Sequence, residues 1–121
     1  MTGSPAPTLP TIVKPQQIEV TNCYNYPNPT YNGNTWIRVD FTGGTLTAIS
    51  KIDIYDVAGD LVIEDLQQTA PRSGANFVEY LWDGRNGDGR QVANGVYFAR
   101  CIVELPGEKP YAKIIKIAII R

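Results

Sequence analysis

The sequence predicts an all-β fold, a seven-stranded antiparallel sandwich, and three observations carry that prediction. From Gln17 onward, runs rich in Val, Ile, Thr, Tyr, Phe and Trp recur every ~8–12 residues between turn residues, the rhythm of a sandwich. No window keeps a 3.6-residue apolar period, so little or no helix is expected. Between Trp82 and Tyr97 the turn dipeptides Asn86-Gly87, Asp88-Gly89 and Asn94-Gly95 lie between two apolar runs. Gly reaches positive φ without a Cβ clash, and Asn and Asp tolerate it better than most residues. A wide loop tied down in this way is a means of carrying the chain from one sheet of a sandwich to the other.

The first strand, Ile18 to Tyr24, runs into Tyr26-Pro27-Asn28-Pro29, where two prolines remove two donors and take the chain off any ladder. Asn32-Gly33 turns it into the second strand, Thr35 to Phe41. Side chains alternate across a strand, so Ile37, Val39 and Phe41 share a core face while Trp36, Arg38 and Asp40 share the other. Gly43-Gly44 ends that strand. The third, Ile49 to Val57, turns Ile52 and Ile54 inward and Lys51, Asp53 and Tyr55 outward. Ala58-Gly59-Asp60 is a tight turn into the fourth, Leu61 to Leu66. A polar loop, Gln67 to Ala75, leads to the fifth, Phe77 to Trp82, with Val78, Tyr80 and Trp82 on one side. Trp82 beside Gly84 reads as a rim aromatic over a glycine. The sixth, Val96 to Leu105, is apolar on both faces, which predicts a central strand. Pro106-Gly107 returns the chain into the seventh, Tyr111 to Ile120, where Ile115, Ile117 and Ile119 share a face. A β-branched run of that kind aggregates if exposed, so it is expected to be paired, with Lys113, Lys116 and Arg121 as gatekeepers.

Length and composition narrow the functions open to the chain. With 121 residues there is room for one core and not two. A net charge of −1 supplies no field for nucleic acid or an anionic membrane, and no apolar run approaches the ~18 residues of a membrane span. The absence of histidine removes the commonest general base and the commonest metal ligand. Residues 1–16, rich in Pro, Thr, Ser and Gly, read as an irregular linker or expression scar preceding a sandwich domain over 17–121. They contain neither the basic segment nor the apolar segment of a signal peptide.

Three separated segments line up with one family. Tyr26-Pro27-Asn28-Pro29, then Ile54-Tyr55-Asp56-Val57-Ala58-Gly59-Asp60, then Trp82-Asp83-Gly84-Arg85 followed by Gly89 and Gly95-Val96-Tyr97 together resemble Ig-like domains related to the flagellar hook-capping protein. More narrowly they resemble the C-terminal sorting domains of type IX secretion cargo, and Lys116 to Arg121 is similar to the basic-then-aliphatic endings of such domains. The resemblance implies an Ig-like or fibronectin-III-like sandwich that does no chemistry. It implies a folded address at the end of a larger secreted bacterial protein, recognised by outer-membrane secretion machinery after passage through the periplasm and often cleaved off as the cargo is attached to the cell surface. The other partner would be the upstream domain of the parent protein.

Individual residues carry sharper alternatives. Lys113, Lys116 and Arg121 are the candidate sorting surface, set against a role in keeping an aliphatic strand soluble. Trp36 and Tyr55 point outward by parity and are the candidates for stacking on a polysaccharide, as in an accessory carbohydrate-binding or adhesion module of a secreted hydrolase. A structural spacer or assembly domain is the remaining reading. Cys23 and Cys101 form a disulfide or stay as two thiols. Asp83, Asn86 and Asp88 offer oxygens in one loop, but an EF-hand register begun at Asp83 meets Arg85, Gly87 and Asn94 where oxygen ligands are needed. The alternative there is that Asp83 accepts backbone N–H bonds and holds the loop. No cofactor is expected. With no nucleophile elbow among the serines, and with Asp53 and Asp56 on opposite faces of one strand, the chain is expected not to be an enzyme.

Overall fold

The computed structural model describes residues 17–66 and 71–121. The expected linker over 1–16 and the beginning of the 67–75 loop lie outside them. Among the described residues there are eight strands and no helix: β1 (Glu19–Tyr26), β2 (Thr35–Thr42), β3 (Lys51–Tyr55), β4 (Leu61–Ile63), β5 (Arg72–Ser73), β6 (Phe77–Trp82), β7 (Gly95–Val103) and β8 (Tyr111–Ile119). They form two four-stranded antiparallel sheets, ordered β1-β2-β6-β5 and β4-β3-β7-β8, hereafter the first and second sheet. The chain changes sheet after β2, after β4 and after β6, and the last change is made by the glycine-studded stretch expected to make it.

Period-two alternation places the core between the layers. Ile37, Val39 and Phe41 of β2 and Val78, Tyr80 and Trp82 of β6 are buried from the first sheet. From the second come Ile52 and Ile54 of β3, Tyr97, Ala99 and Val103 of β7, and Ile115, Ile117 and Ile119 of β8. β7 is central in its sheet, as its two apolar faces predict, and β8 is an edge strand paired with it along its whole length.

The structure corrects the sequence reading in four places. The strand count is eight rather than seven, because Arg72–Ser73 adds a short edge to β6. Two polar residues carry no alternation to mark them as a strand. Their tether is the Arg72 guanidinium, which lies 3.6 Å over the Trp36 ring and bonds Glu79 at 3.0 Å. The fourth strand stops at Ile63 rather than Leu66. Asp65 turns left-handed (φ 54°) and donates its N–H to the Asp53 carboxylate at 2.9 Å, while the Leu66 N–H bonds the Ile52 carbonyl and its side chain enters the core. Asp53, expected to face solvent, is therefore covered by this turn and only 5% exposed. Trp82 is no rim residue: it is fully buried, meets Tyr97 edge-on at 5.6 Å, and donates its indole N–H to the Arg85 carbonyl at 2.9 Å.

Two turns are built alike from different sequences. In the β3–β4 hairpin the Asp56 carboxylate accepts the N–H groups of Ala58 and Asp60, the Asp56 N–H bonds the Asp60 carbonyl, and the Gly59 N–H bonds the Asp56 carbonyl. In the crossover Asn86 does the same with Asp88, Arg90 and Gly89. Both turns put a left-handed glycine fourth, Gly59 at φ 84° and Gly89 at φ 78°. An Asx oxygen taking two backbone donors replaces the ladder bonds that a turn forfeits. Asn86→Ala is expected to cost about 1–2 kcal/mol by orphaning both donors. Urea titration against the parent checks this, and an unchanged midpoint would remove the side chain's assigned role.

Candidate functional site

The last strand and the outer face of its sheet form the surface with most to offer a partner. β8 bonds β7 on one side only, and in an antiparallel pair successive residues alternate between bonding the neighbour and facing away from it. Ala118 faces away: its N–H bonds the Asn28 side chain at 3.0 Å and its carbonyl accepts the Thr30 N–H at 2.9 Å. The Lys116 carbonyl accepts from the Asn28 amide at 2.9 Å, and the Ile120 N–H bonds the Thr30 carbonyl at 2.9 Å. The proline segment after β1, with both Tyr26–Pro27 and Asn28–Pro29 peptides cis, thus closes the edge from Lys116 to Ile120. By the same alternation the main-chain groups of Ala112 and Ile114 also face away from β7, and among the described residues nothing pairs them. Among the described residues the edge is closed over one half and open over the other.

Beside the open half lies an open groove of about 640 Å³ on the outer face of the second sheet, lined by Tyr55, Asp56, Val57, Gly59, Phe98, Arg100 and Ile114. Its floor follows from the register. Tyr55 pairs with Phe98 and Ile114 with Arg100, so two rings and an isoleucine share one surface. Ile114 is 63% exposed and Val57 74%. Exposed isoleucine on an edge strand is a liability unless it has a use. Arg100 and Asp56 put one charge of each sign in the groove's lining.

The three basic residues proposed from sequence do not come together. Lys116 is exposed on the outer face. Lys113 has the parity of Ile115 and Ile117, is opposite Cys101, and lies near enough to the Cys23 thiol to stabilise its thiolate electrostatically. Arg121 is a clasp. Its Nη1 donates to the Val92 carbonyl at 2.6 Å and its Nη2 to the Gly84 carbonyl at 3.1 Å. Its backbone N–H and carbonyl bond the Asn94 side chain at 3.0 and 3.2 Å. The signal for this role was Gly84 and Gly33, against whose Cα atoms the guanidinium packs with no space for a methyl group.

Trp36 and Tyr55 both point away from the core, but from opposite layers, Trp36 on β2 and Tyr55 on β3, so they make no common platform. The Arg72 guanidinium already covers one face of the Trp36 ring. Beneath it Glu79, 2% exposed, accepts from Arg72 and from the Tyr26 hydroxyl. Burial, and then this carboxylate, push the Tyr26 phenol above its ordinary pKa. In the crossover, Asp83 accepts the Arg85 N–H at 3.1 Å, and the Asn86 oxygen serves the turn described above. Among the described residues no three His, Cys, Asp or Glu groups converge as a metal site. Cys23 and Cys101, both buried, face each other across the layers as free thiols.

The chain matches no known family description and no curated protein. Among solved structures, it is 30% identical to part of PorZ of Porphyromonas gingivalis, described as an essential bacterial surface component of the type IX secretion system. That similarity covers 83% of this chain and 12% of PorZ, with a TM-score of 0.51. It is 23% identical to part of latent dimeric PorU of the same organism, over 80% of this chain and 9% of PorU, with a TM-score of 0.52. CopC of Methylosinus trichosporium OB3b is 16% identical over 82% of this chain and 94% of its own length, with a TM-score of 0.51. The likenesses to PorU and CopC are likenesses of fold. The chain spans a module-sized fraction of PorZ and PorU, about a tenth of each.

Proposed function

We propose that this chain is a non-catalytic Ig-like module of a larger secreted bacterial protein, serving type IX secretion and attachment at the cell surface. It docks there through the open half of β8. The observation that carries this reading is the 30% identity, over most of this chain, to a stretch of a type IX surface component. The mode of docking is argued from β8 itself. Main-chain groups at Ala112 and Ile114, unpaired among the described residues, stand beside an apolar groove, so an extended segment of an outer-membrane secretion component could add as a further strand. It would seat alternate side chains against Tyr55 and Phe98. The Ig-like assignment rests on the two-sheet sandwich together with the turn motifs.

A cargo reporter fused ahead of the 121-residue chain tests both parts in a bacterium with a working type IX system. The fusion is expected at the cell surface, and retention of the unaltered fusion in the periplasm would end the type IX reading. Ile114→Pro removes an N–H that faces away from β7, a place where an edge strand tolerates proline. It is expected to lower the surface-exposed fraction about tenfold while leaving the fold intact, an effect of the size expected when one or two charge-free docking bonds are lost. Ile114→Thr, which keeps the N–H, is expected to export nearly as well as the parent. A folded proline variant exported at the parental level would overturn docking through β8 and leave the secretion reading standing.

A further inference from the structure

The two cysteines come from the two different layers of the sandwich. Cys23 is on β1, at the edge of the first sheet, opposite Val39, and Cys101 is on central β7 of the second, between Ile52 and Lys113. Both side chains point into the space between the sheets, where they are 1% and 0% exposed. β1 also packs against β8, which pairs with β7 alongside Cys101. The two sulfurs are close enough that each shifts the other's ionisation.

We propose that Cys23 and Cys101 are a cross-sheet disulfide site that closes only while β1 is still settling onto the second sheet, after which the fold seals whichever state was reached. A disulfide forms by attack of a thiolate, so it needs an ionised sulfur and an accessible oxidant. In the folded domain the second condition fails, and only one of the two sulfurs is disposed to ionise. Both sulfurs are buried, and the hydrogen bond to Cys23, followed by burial, pushes the Cys101 thiol far above its ordinary range. The same bond, aided by Lys113, lowers Cys23, but no reagent reaches it without lifting β1. In the unfolded chain both thiols are ordinary and exposed. One thiolate then attacks the S–S bond of a disulfide oxidant, giving a mixed disulfide and expelling one oxidant thiolate. The second cysteine thiolate displaces the other half. The chain gives up two protons and two electrons, the oxidant takes up the electrons as two thiols, and one new S–S bond joins the sheets.

The consequence is a record of where folding took place. A chain that folds in an oxidising compartment carries the bond, one that folds among reducing thiols does not, and passing afterwards between compartments changes neither. This holds whether or not the module serves secretion. The cross-link closes a loop spanning most of the domain, so the chain-entropy account gives the oxidised form a folded-to-unfolded ratio higher on the order of a thousandfold.

The 121-residue chain, reduced and unfolded in urea, is refolded into a mixture of oxidised and reduced glutathione, while already folded reduced protein is placed in the same mixture. After refolding, the mass is expected to fall by about 2 Da with no thiol left to alkylate in denaturant, whereas the folded sample keeps both thiols over the same interval. The refolded product is also expected to unfold at higher urea than its reduced counterpart. Two alkylatable thiols after oxidative refolding, a cross-linked product less stable than the reduced one, or oxidation of folded protein as fast as of unfolded chain would each overturn the proposal. A Cys101→Ala chain carried through the same refolding is expected to stay monomeric without the 2 Da loss, and the same loss in that variant would also overturn it.

Discussion

Replacing Trp82 with alanine is expected to cost about 4–5 kcal/mol, the upper range for an aromatic side chain removed from a core, and to shift the urea midpoint accordingly. Three effects add. The indole is fully buried where the first sheet ends, so its removal opens a large cavity between the layers. Its edge-on contact with Tyr97, 5.6 Å between ring centres, joins the last residue of β6 to the third residue of β7. Its N–H is the donor to the Arg85 carbonyl, which holds the first turn of the crossover down on the core. Small domains are stable by only about 5–15 kcal/mol, so a loss of this size takes a large share of the total. Trp82→Phe keeps much of the ring and loses only the bond, and is expected to cost about 1–2 kcal/mol. An alanine variant within 1 kcal/mol of the parent would mean that the crossover is held by something other than its aromatic anchor.

The same tryptophan shows how far a sequence reaches. Its inward direction was legible, because Val78, Tyr80 and Trp82 alternate with polar or half-buried neighbours, as Ile37, Val39 and Phe41 do on β2. Alternation is local, and local patterns survived into the structure almost unchanged. Its depth was not legible, because burial at a strand end depends on what the following loop does, and that loop is folded back by a bond to a carbonyl three residues on. The placing of Trp36 and Tyr55 on different layers was hidden for a related reason. Parity says that a side chain leaves the core, but not from which layer, since sheet membership is set by pairing with strands far along the chain. β5 was invisible because its two residues are held by side chains rather than by a pattern. The clasp made by Arg121 was not legible because a basic residue after an aliphatic strand suits a signal as well as a clasp. Only the convergence of Gly33, Gly84, Val92 and Asn94 on it shows the clasp.

Gly84→Ala puts that clasp to the test, with an expected loss of about 3 kcal/mol from one added methyl group. Gly84 has φ 73°, where alanine alone costs about 1 kcal/mol. The new Cβ would also stand 2.8 Å from the Gly33 carbonyl oxygen and 2.6 Å from the Arg121 Nη2. Gly33 belongs to the turn leading into β2, so its carbonyl cannot yield without moving the start of a central strand, whereas the arginine tip can swing away and give up its bonds to Val92 and Gly84. Gly89→Ala is the matched control, with φ 78° and nothing within 4 Å of the added carbon, so it should show the conformational cost alone. The difference between the two variants therefore measures the crowding. Combining Gly84→Ala with Arg121→Ala divides it further: the double variant should be less damaged than the sum of the singles, because each single already breaks the same contacts. Equal losses at Gly84 and Gly89 would show that the guanidinium does not hold this corner, returning Arg121 to the solvent-facing residues from which a partner could read a signal.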